Sequence, residues 1–393
     1  MNPIIDLIIY AHDGRGLGHV SRSVAIGLAV RRLFPQMSVL LVTGCPSVAE
    51  LVGKGDLDWI KLPSYRTAIV GGKSTGATGP SNLDDKILGE LRARSIRHIL
   101  EIYRPKVFLA DHTPQGKHRE LVPSHEVSPE TLRVLGVRAV VGDVDKVWSD
   151  YSADIFREAY SNILWYGDSS VVGDAEISAL TDRYGVRPYE TGYVSRLAEM
   201  KLLQYLGEGG RKYAGVISIP WSGEGTLCMM RKLAGALERI GSSHGDWKIY
   251  MNLREDGAGE VVNHFSGLSH VSFAQVGPDF LSDLASARSA LIYGGYNSLT
   301  DVMACSVPSV VLLRGMKDGE QEEHAAVLCR CSSSVLDVFP DSSVEMDDIE
   351  GALRRCLECG RGPEQVNLNG AEGAARYLAD LAGISAQAGG ARC

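Results

Sequence analysis

The chain has 393 residues, 45% of them hydrophobic, with a formal charge of −8 at pH 7 and a sequence pI near 5.7. That length predicts two domains of roughly 150–200 residues with enough apolar content for a core in each. The acidic balance argues against a nucleic-acid face, which needs clustered Lys and Arg, and no apolar run reaches the ~18 residues of a membrane span.

The opening MNPIIDLIIYAHDG has no basic leader and carries an acid inside its apolar run, so it predicts a first core strand and a cytoplasmic protein. The eight cysteines are then expected as reduced thiols. Cys329, Cys331, Cys356 and Cys359 supply enough sulfur for zinc. However, Cys-x-Cys suits a tetrahedral site poorly, and Cys356 and Cys359 lie on a helical pattern. Helix packing is the plainer expectation.

Residues 4–11 (IIDLIIYA) form an apolar run of strand length. The turn HDGRGLGH follows, then VSRSVAIGLAVRRLF with helical spacing, then MSVLLVTG as a second strand. This βαβ opening predicts a parallel sheet with right-handed crossovers. Residues 64–82, rich in Gly, Ser and Thr and without a period, are expected to be a mobile loop. LDDKILGELRARSIRHILEIY reads as a helix, and 106–111, 137–143 and 162–168 as further strands.

The first half closes near TGYVSR (191–196), and the polar stretch 208–213 leads into a second series. Its strands are GVISIP, WKIYMN, VSFAQV, SALIYGG and SVVLLR, with helices between them. A polar loop is expected to hold Gln321, Glu322 and Glu323, EGAARYLADLAG is helical, and the last residues read as frayed. The predicted domains are residues 1–195, a linker at 196–213, residues 214–370, and a terminal helix and tail at 371–393. The fold class is α/β: two Rossmann-like domains facing across a cleft.

Gly14-Arg15-Gly16-Leu17-Gly18-His19 fails as a dinucleotide fingerprint, because its third glycine position is His19 and the second strand ends without an acid. Gly71-Gly72-Lys73-Ser74 fails as a phosphate loop, because Thr67 stands where the first glycine belongs. His19, where the turn meets the helix, is a candidate general base: a helix N-terminus disfavours the imidazolium and keeps the ring able to accept a proton. Its plainer role is a helix cap or a satisfied core histidine.

In the second half, Ser222 and the amides of Gly223, Glu224, Gly225 and Thr226 either hold a pyrophosphate or make an ordinary βα turn. Gly294, Gly295, Asn297 and Ser298 form a second glycine turn at a helix start. Asp301 on that helix either accepts ribose hydroxyls or complements the dipole. Asp111 and His112 end a first-half strand and are candidates for acceptor contact, against a satisfied loop. Asp143 and Asp145 are weaker candidates of the same kind.

Three segments together carry a resemblance: Gly16-Leu17-Gly18-His19-Val20-Ser21-Arg22, then Ser222-Gly223-Glu224-Gly225, then Gly294 to Asp301 followed by Pro308 and Gln321-Glu322-Glu323-His324-Ala325. Over about residues 4–330 the chain resembles the two-domain GT-B nucleotide-sugar glycosyltransferases. It is most similar to the family of the lipid II-forming N-acetylglucosaminyltransferase (glycosyltransferase family 28 C-terminal-like). The Thr191-Gly192 linker also matches. Leu17 and Arg22 stand where that enzyme has glycine and proline, Asp301 replaces its Glu, and Glu322 replaces its second Gln.

The resemblance implies transfer of an N-acetylhexosamine or hexose from a nucleoside-diphosphate donor, a UDP-sugar as co-substrate, with inversion. His19 would be the base. Gly16, Gly18, Asp111 and His112 would lie toward a small-molecule or lipid-linked acceptor. Ser222 to Thr226, Gly294 to Ser298, Asp301, Gln321 and Glu322 would hold the donor, and the backbone of Val276 and Gly277 would read the base. No Asp-x-Asp pair occurs in the donor half, so neither metal nor cofactor is expected. Nucleotide-sugar 2-epimerases share the scaffold and are the alternative, with a non-catalytic sugar-nucleotide sensor as a third reading.

Overall fold

The computed structural model describes residues 3–12, 17–70, 73–77, 79–140, 148–205, 212–219, 225–254, 257–277, 279–314, 319–360 and 362–385. The chain divides into two compact units, Met1–Glu199 with Asn367–Cys393, and Met200–Val366.

In the first unit, apolar runs become buried strands because a parallel sheet is covered on both faces. The strands are β1 (Ile5–Ala11), β2 (Val39–Thr43), β3 (Asp58–Lys61), β6 (Pro105–Asp111), β7 (Leu132–Arg138), β8 (Asn162–Tyr166) and β9 (Tyr189–Glu190). They form one sheet in the order β3-β2-β1-β6-β7-β8-β9, every pair parallel. The order reverses between β1 and β6, where Tyr10 pairs with Ala110. Ligands of open α/β sheets bind at the carboxyl ends of strands flanking such a reversal.

The remaining strands, β4 (Arg66–Val70) and β5 (Lys73–Ala77), correct the expected loop at 64–82. They pair antiparallel as a hairpin, Val70 opposite Lys73. The two residues between the paired ends are both glycine, a sequence that two-residue hairpin connections favour. The strand expected at 137–143 also moves, to Leu132–Arg138. Gly136, in mid-strand, makes room for a neighbour: a Cβ there would lie 1.9 Å from the Tyr166 hydroxyl. The expected helix over residues 83–103 forms as Asp85–Tyr103, started by Asp84, whose carboxylate accepts from the amides of Lys86 and Ile87.

The helix Gly370–Leu381 belongs to this first unit. It packs along Gly18–Leu33, and Arg32 lies 3.6 Å from Glu372 while donating to Glu199 at 2.7 Å. The returning chain is fixed by Asn367, whose amide donates to Asp168 at 2.8 Å and whose carbonyl accepts from the Tyr193 amide at 2.7 Å. Gly370 is required by close approach, since a Cβ would sit 2.3 Å from the Gly192 carbonyl.

The second unit holds β10 (Tyr213–Ile219), β11 (Trp247–Met251), β12 (Val271–Gln275), β13 (Ala287–Tyr293), β14 (Ser309–Leu313) and β15 (Val335–Pro340). They form a parallel sheet in the order β12-β11-β10-β13-β14-β15, which reverses between β10 and β13. Taken in chain order this is 3-2-1-4-5-6, the Rossmann arrangement. One face is covered by the helices Thr226–Ile240 and Met346–Glu358 around Trp247, Leu237 and Leu353. Cys356 is buried in that cluster, and burial pushes its thiol up to about 12. Gln321 and Glu322 correct another expectation: they open the helix Glu320–Cys331 and are not in a loop. Three acids in its first turn complement the helix dipole.

Candidate active site

At the reversal point of the first sheet, four side chains converge from two strand ends and one helix. His12 follows β1, Asp111 and His112 end and follow β6, and His19 lies in the first turn of the helix Gly18–Leu33. His19 Nδ1 is 2.5 Å from Asp111 Oδ2. Arg22, one turn along the helix, donates to the same oxygen at 2.9 Å and approaches His19 Nδ1 at 3.0 Å. The carboxylate can only accept, so Nδ1–H donates to Asp111, and in the neutral ring the lone pair is then on Nε2. The helix has no acid of its own in the first turn, and Asp111 supplies one from the sheet.

Asp111 and Arg22 are buried while the His19 side chain keeps 19% exposure. A buried orienting pair thus holds an accessible ring, the arrangement a general base needs.

Two more imidazoles flank it. The His12 ring centroid is 3.9 Å from that of His19, and the His112 centroid is 5.0 Å away. Burial, followed by the charges of Arg138, His19 and His12, holds His112 well below the usual histidine range, with Asp111 acting in the opposite direction. Its Nδ1 is buried without a hydrogen-bond partner among the described residues. His112 is therefore a neutral neighbour.

The backbone here is strained: His112, His118 and Arg119 have φ of 83°, 51° and 63°, in the region that favours glycine. A buried network holds this segment in place. Glu120 accepts from Arg92 Nε at 2.6 Å and Nη2 at 3.0 Å, from Tyr65 at 3.1 Å, and from Tyr10.

Gly18 opens the His19 helix. Gly16, Asp143 and Asp145 lie outside the described residues. His12 and Arg138 were not anticipated. His12 had one readable signal, its place immediately beyond the first apolar run.

In the second unit the candidates share the carboxyl edge of the sheet. Ser222, Gly223 and Glu224 lie outside the described residues. Gly225 has φ 85° and precedes the helix Thr226–Ile240, whose first residue is buried. At the neighbouring strand end, Gly295 starts the helix Tyr296–Cys305. The first turn of a helix has amides without intrahelical acceptors, and Asn297 and Ser298 stand there. Gly294 is required sterically: a Cβ would meet Leu313 at 2.8 Å and Val311 at 3.3 Å.

β10 and β13 are adjacent, so both helix starts flank one reversal point. Asp301 lies in the second turn of its helix. Val276 and Gly277 follow β12, two strands away from β10. Glu322 has a buried carboxylate oxygen with no hydrogen-bond partner among the described residues. His324 is buried, its ring 6.1 Å from that of Tyr296. Among the described residues no group of His, Cys, Asp and Glu has the placement of a metal site, and no helix is long and apolar enough to cross a membrane.

No family model and no curated protein sequence matches the chain. Solved structures do. Medicago truncatula UGT71G1, complexed with UDP-glucose, is 13% identical with a TM-score of 0.60 over 96% of this chain and 98% of that one. The UDP-GlcNAc 2-epimerase of Methanocaldococcus jannaschii is 10% identical with a TM-score of 0.61 over 96% and 99%. MurG of Acinetobacter baumannii is 10% identical with a TM-score of 0.51 over 96% and 99%. The chain has the GT-B fold, built of two Rossmann-like domains.

Proposed function

We propose that this protein is a nucleotide-sugar glycosyltransferase, moving an N-acetylhexosamine or hexose from a nucleoside diphosphate, a UDP-sugar by preference, to a small-molecule acceptor with inversion. The observation that carries it is the Asp111–His19 pair at the reversal point of the first sheet. His19 Nε2 takes the proton from the acceptor hydroxyl, whose oxygen attacks the anomeric carbon as the bond to the diphosphate breaks. Asp111 holds the tautomer and stabilises the imidazolium that forms. Gly18 and His112 lie toward the acceptor.

The second unit holds the leaving diphosphate at the helix starts after Gly225 and Gly295, with Asp301, Gln321 and Glu322 toward ribose and sugar hydroxyls. One helix end contributes about 0.3–2 kcal/mol, against the roughly 8–23 kcal/mol by which enzymes lower barriers. Several aimed donors and the base must therefore act together. The likeness to UGT71G1 and MurG supports the transferase class.

A second reading, a nucleotide-sugar 2-epimerase, is supported by the likeness to the M. jannaschii enzyme. Incubation with UDP-, TDP- and GDP-sugars, with and without acceptor alcohols, separates the two. Nucleoside diphosphate released only when acceptor is present is the expected result. A donor sugar that changes identity without acceptor would establish the epimerase.

A further inference from the structure

The carboxyl edge of the first sheet carries a cation that the proposed function has not used. Arg119 lies in the turn after β6, on the loop that begins with His112, and its side chain is exposed. Its guanidinium carbon sits 4.4 Å from the centre of the Tyr151 ring. Tyr151 stands in the first turn of the helix Asp150–Ala159, which crosses from β7 to its parallel neighbour β8, so it too is at the carboxyl edge. Turn and helix are tied together. Ser152 Oγ donates to Gln115 Oε1 at 3.1 Å, and the Tyr160 hydroxyl donates to the Pro114 carbonyl at 2.9 Å.

We propose that Arg119, laid on the Tyr151 ring, binds an anionic group of the acceptor, a carboxylate or a phosphate, so that the acceptor is an acid-bearing alcohol or phenol. This rests on the transferase reading and deepens it by naming the class of acceptor.

The whole chain is formally −8, yet the segment Lys117-His118-Arg119 is basic. The acids beside Arg119 and Tyr151 in the chain are engaged by other arginines. Glu120 accepts from Arg92 at 2.6 Å with both side chains fully buried, and Asp150 pairs with Arg183 at 2.7 Å. Among the described residues no carboxylate lies within ion-pair distance of Arg119, and its contact is the Tyr151 face. Stacking on an aromatic face fixes the plane of a guanidinium and leaves its N–H edges for a bidentate acceptor. Carboxylate and phosphate oxygens both match that fork.

The backbone points the same way. His118 and Arg119 hold φ of 51° and 63°, a region that glycine adopts without strain. Glycine would serve there if the turn needed only its shape. Instead the buried Glu120–Arg92 pair and the hydroxyls of Tyr10 and Tyr65 hold the strained turn, and with it an arginine at a fixed place beside the ring. Strain kept in this way clusters where a side chain meets a ligand.

The test measures kcat/KM of the full chain, supplied with UDP-, TDP- or GDP-sugar, for acceptor pairs that differ in charge. The pairs are 4-hydroxybenzoate against 4-hydroxybenzamide and glycerol 3-phosphate against glycerol. An acid is expected to exceed its neutral partner by about 10- to 100-fold, the value of a charge-assisted hydrogen bond, and the pair that shows it tells carboxylate from phosphate. In Arg119→Gln that ratio should fall towards one through KM for the acid, with KM for the donor unmoved. Tyr151→Leu should lie between, and added salt should shrink the ratio in the unaltered chain.

Neutral acceptors used as well as the acids, or an acid preference kept in an Arg119→Gln variant that unfolds at the unaltered temperature, would overturn this inference and leave the transferase reading standing. If no acceptor, charged or neutral, releases the nucleoside diphosphate, the transferase reading falls and this inference with it.

Discussion

The two sheets take their strands in the same order and reverse at the same place, yet they furnish that place differently. The first fills its carboxyl edge with titratable side chains: His12, His19, Asp111 and His112 lie within a few ångströms of one another, braced by Arg22. The second places glycines at the described part of its reversal point. Among the described residues, Gly225 and Gly295 stand at the N-caps of two helices with no side-chain cap, and Gly294 precedes the second. One scaffold edge thus suits proton transfer, where a pKa and an orientation must be set. The other suits holding an anion, where close approach to amides matters and a Cβ is an obstacle.

The sharpest way to break this comparison is His19→Ala. Turnover should fall by about 10²–10⁴-fold, while calorimetric affinity for a nucleoside diphosphate stays unchanged. Loss of both together would mean that the two edges do not divide the labour. Asp111→Asn should follow it in kcat more than in KM, since the tautomer of His19 is then unset.

Next in size is the brace behind the first edge. Arg92→Leu leaves Glu120 as a buried charge and should cost about 3–5 kcal/mol in urea unfolding, much of it regained when Glu120 is also made apolar. A cost confined to a few tenths would show that the strained segment after β6 stands without it.

Acid sharpens the contrast further, because the first unit stores neutral histidines. Burial, then the charge of Arg133, lowers His125 to about 4, and His112 is lowered as well. Unfolded histidine binds its proton near pH 6.5, so between there and about pH 4 the unfolded chain holds more protons than the folded one. Stability should therefore drop as pH falls through that window, by up to about 1.4 kcal/mol per pH unit for each such histidine. Urea midpoints at several pH values measure it, and a flat profile would contradict the buried placement.

The smallest effect falls on the second edge. Gly294→Ala must push Leu313 aside, at about 1–3 kcal/mol, with a matching loss of thermal stabilisation by UDP. An unaltered response would show that the turn is not where the nucleotide rests.

Much of this was readable beforehand because parallel strands buried on both faces leave uninterrupted apolar runs, as IIDLIIYA and SALIYGG do. The helices announced themselves through spacing and caps such as Asp84. What escaped depended on partners distant in the chain. The strand Leu132–Arg138 was displaced because nothing local tells that Gly136 makes room for Tyr166. The hairpin β4–β5 was hidden in a stretch without alternation. His19 was visible at its turn, but Asp111 lies 92 residues away, and only the adjacency of β1 and β6 reveals that it orients the ring.

The helix Gly370–Leu381 lies against the helix that bears His19, although the whole of Met200–Val366 is translated between them. A ribosome therefore delivers the helix that bears His19 early and its packing partner late. Nascent chains stalled before residue 367 should leave that flank uncovered and vulnerable to proteases, and the first unit matures only after the second has emerged.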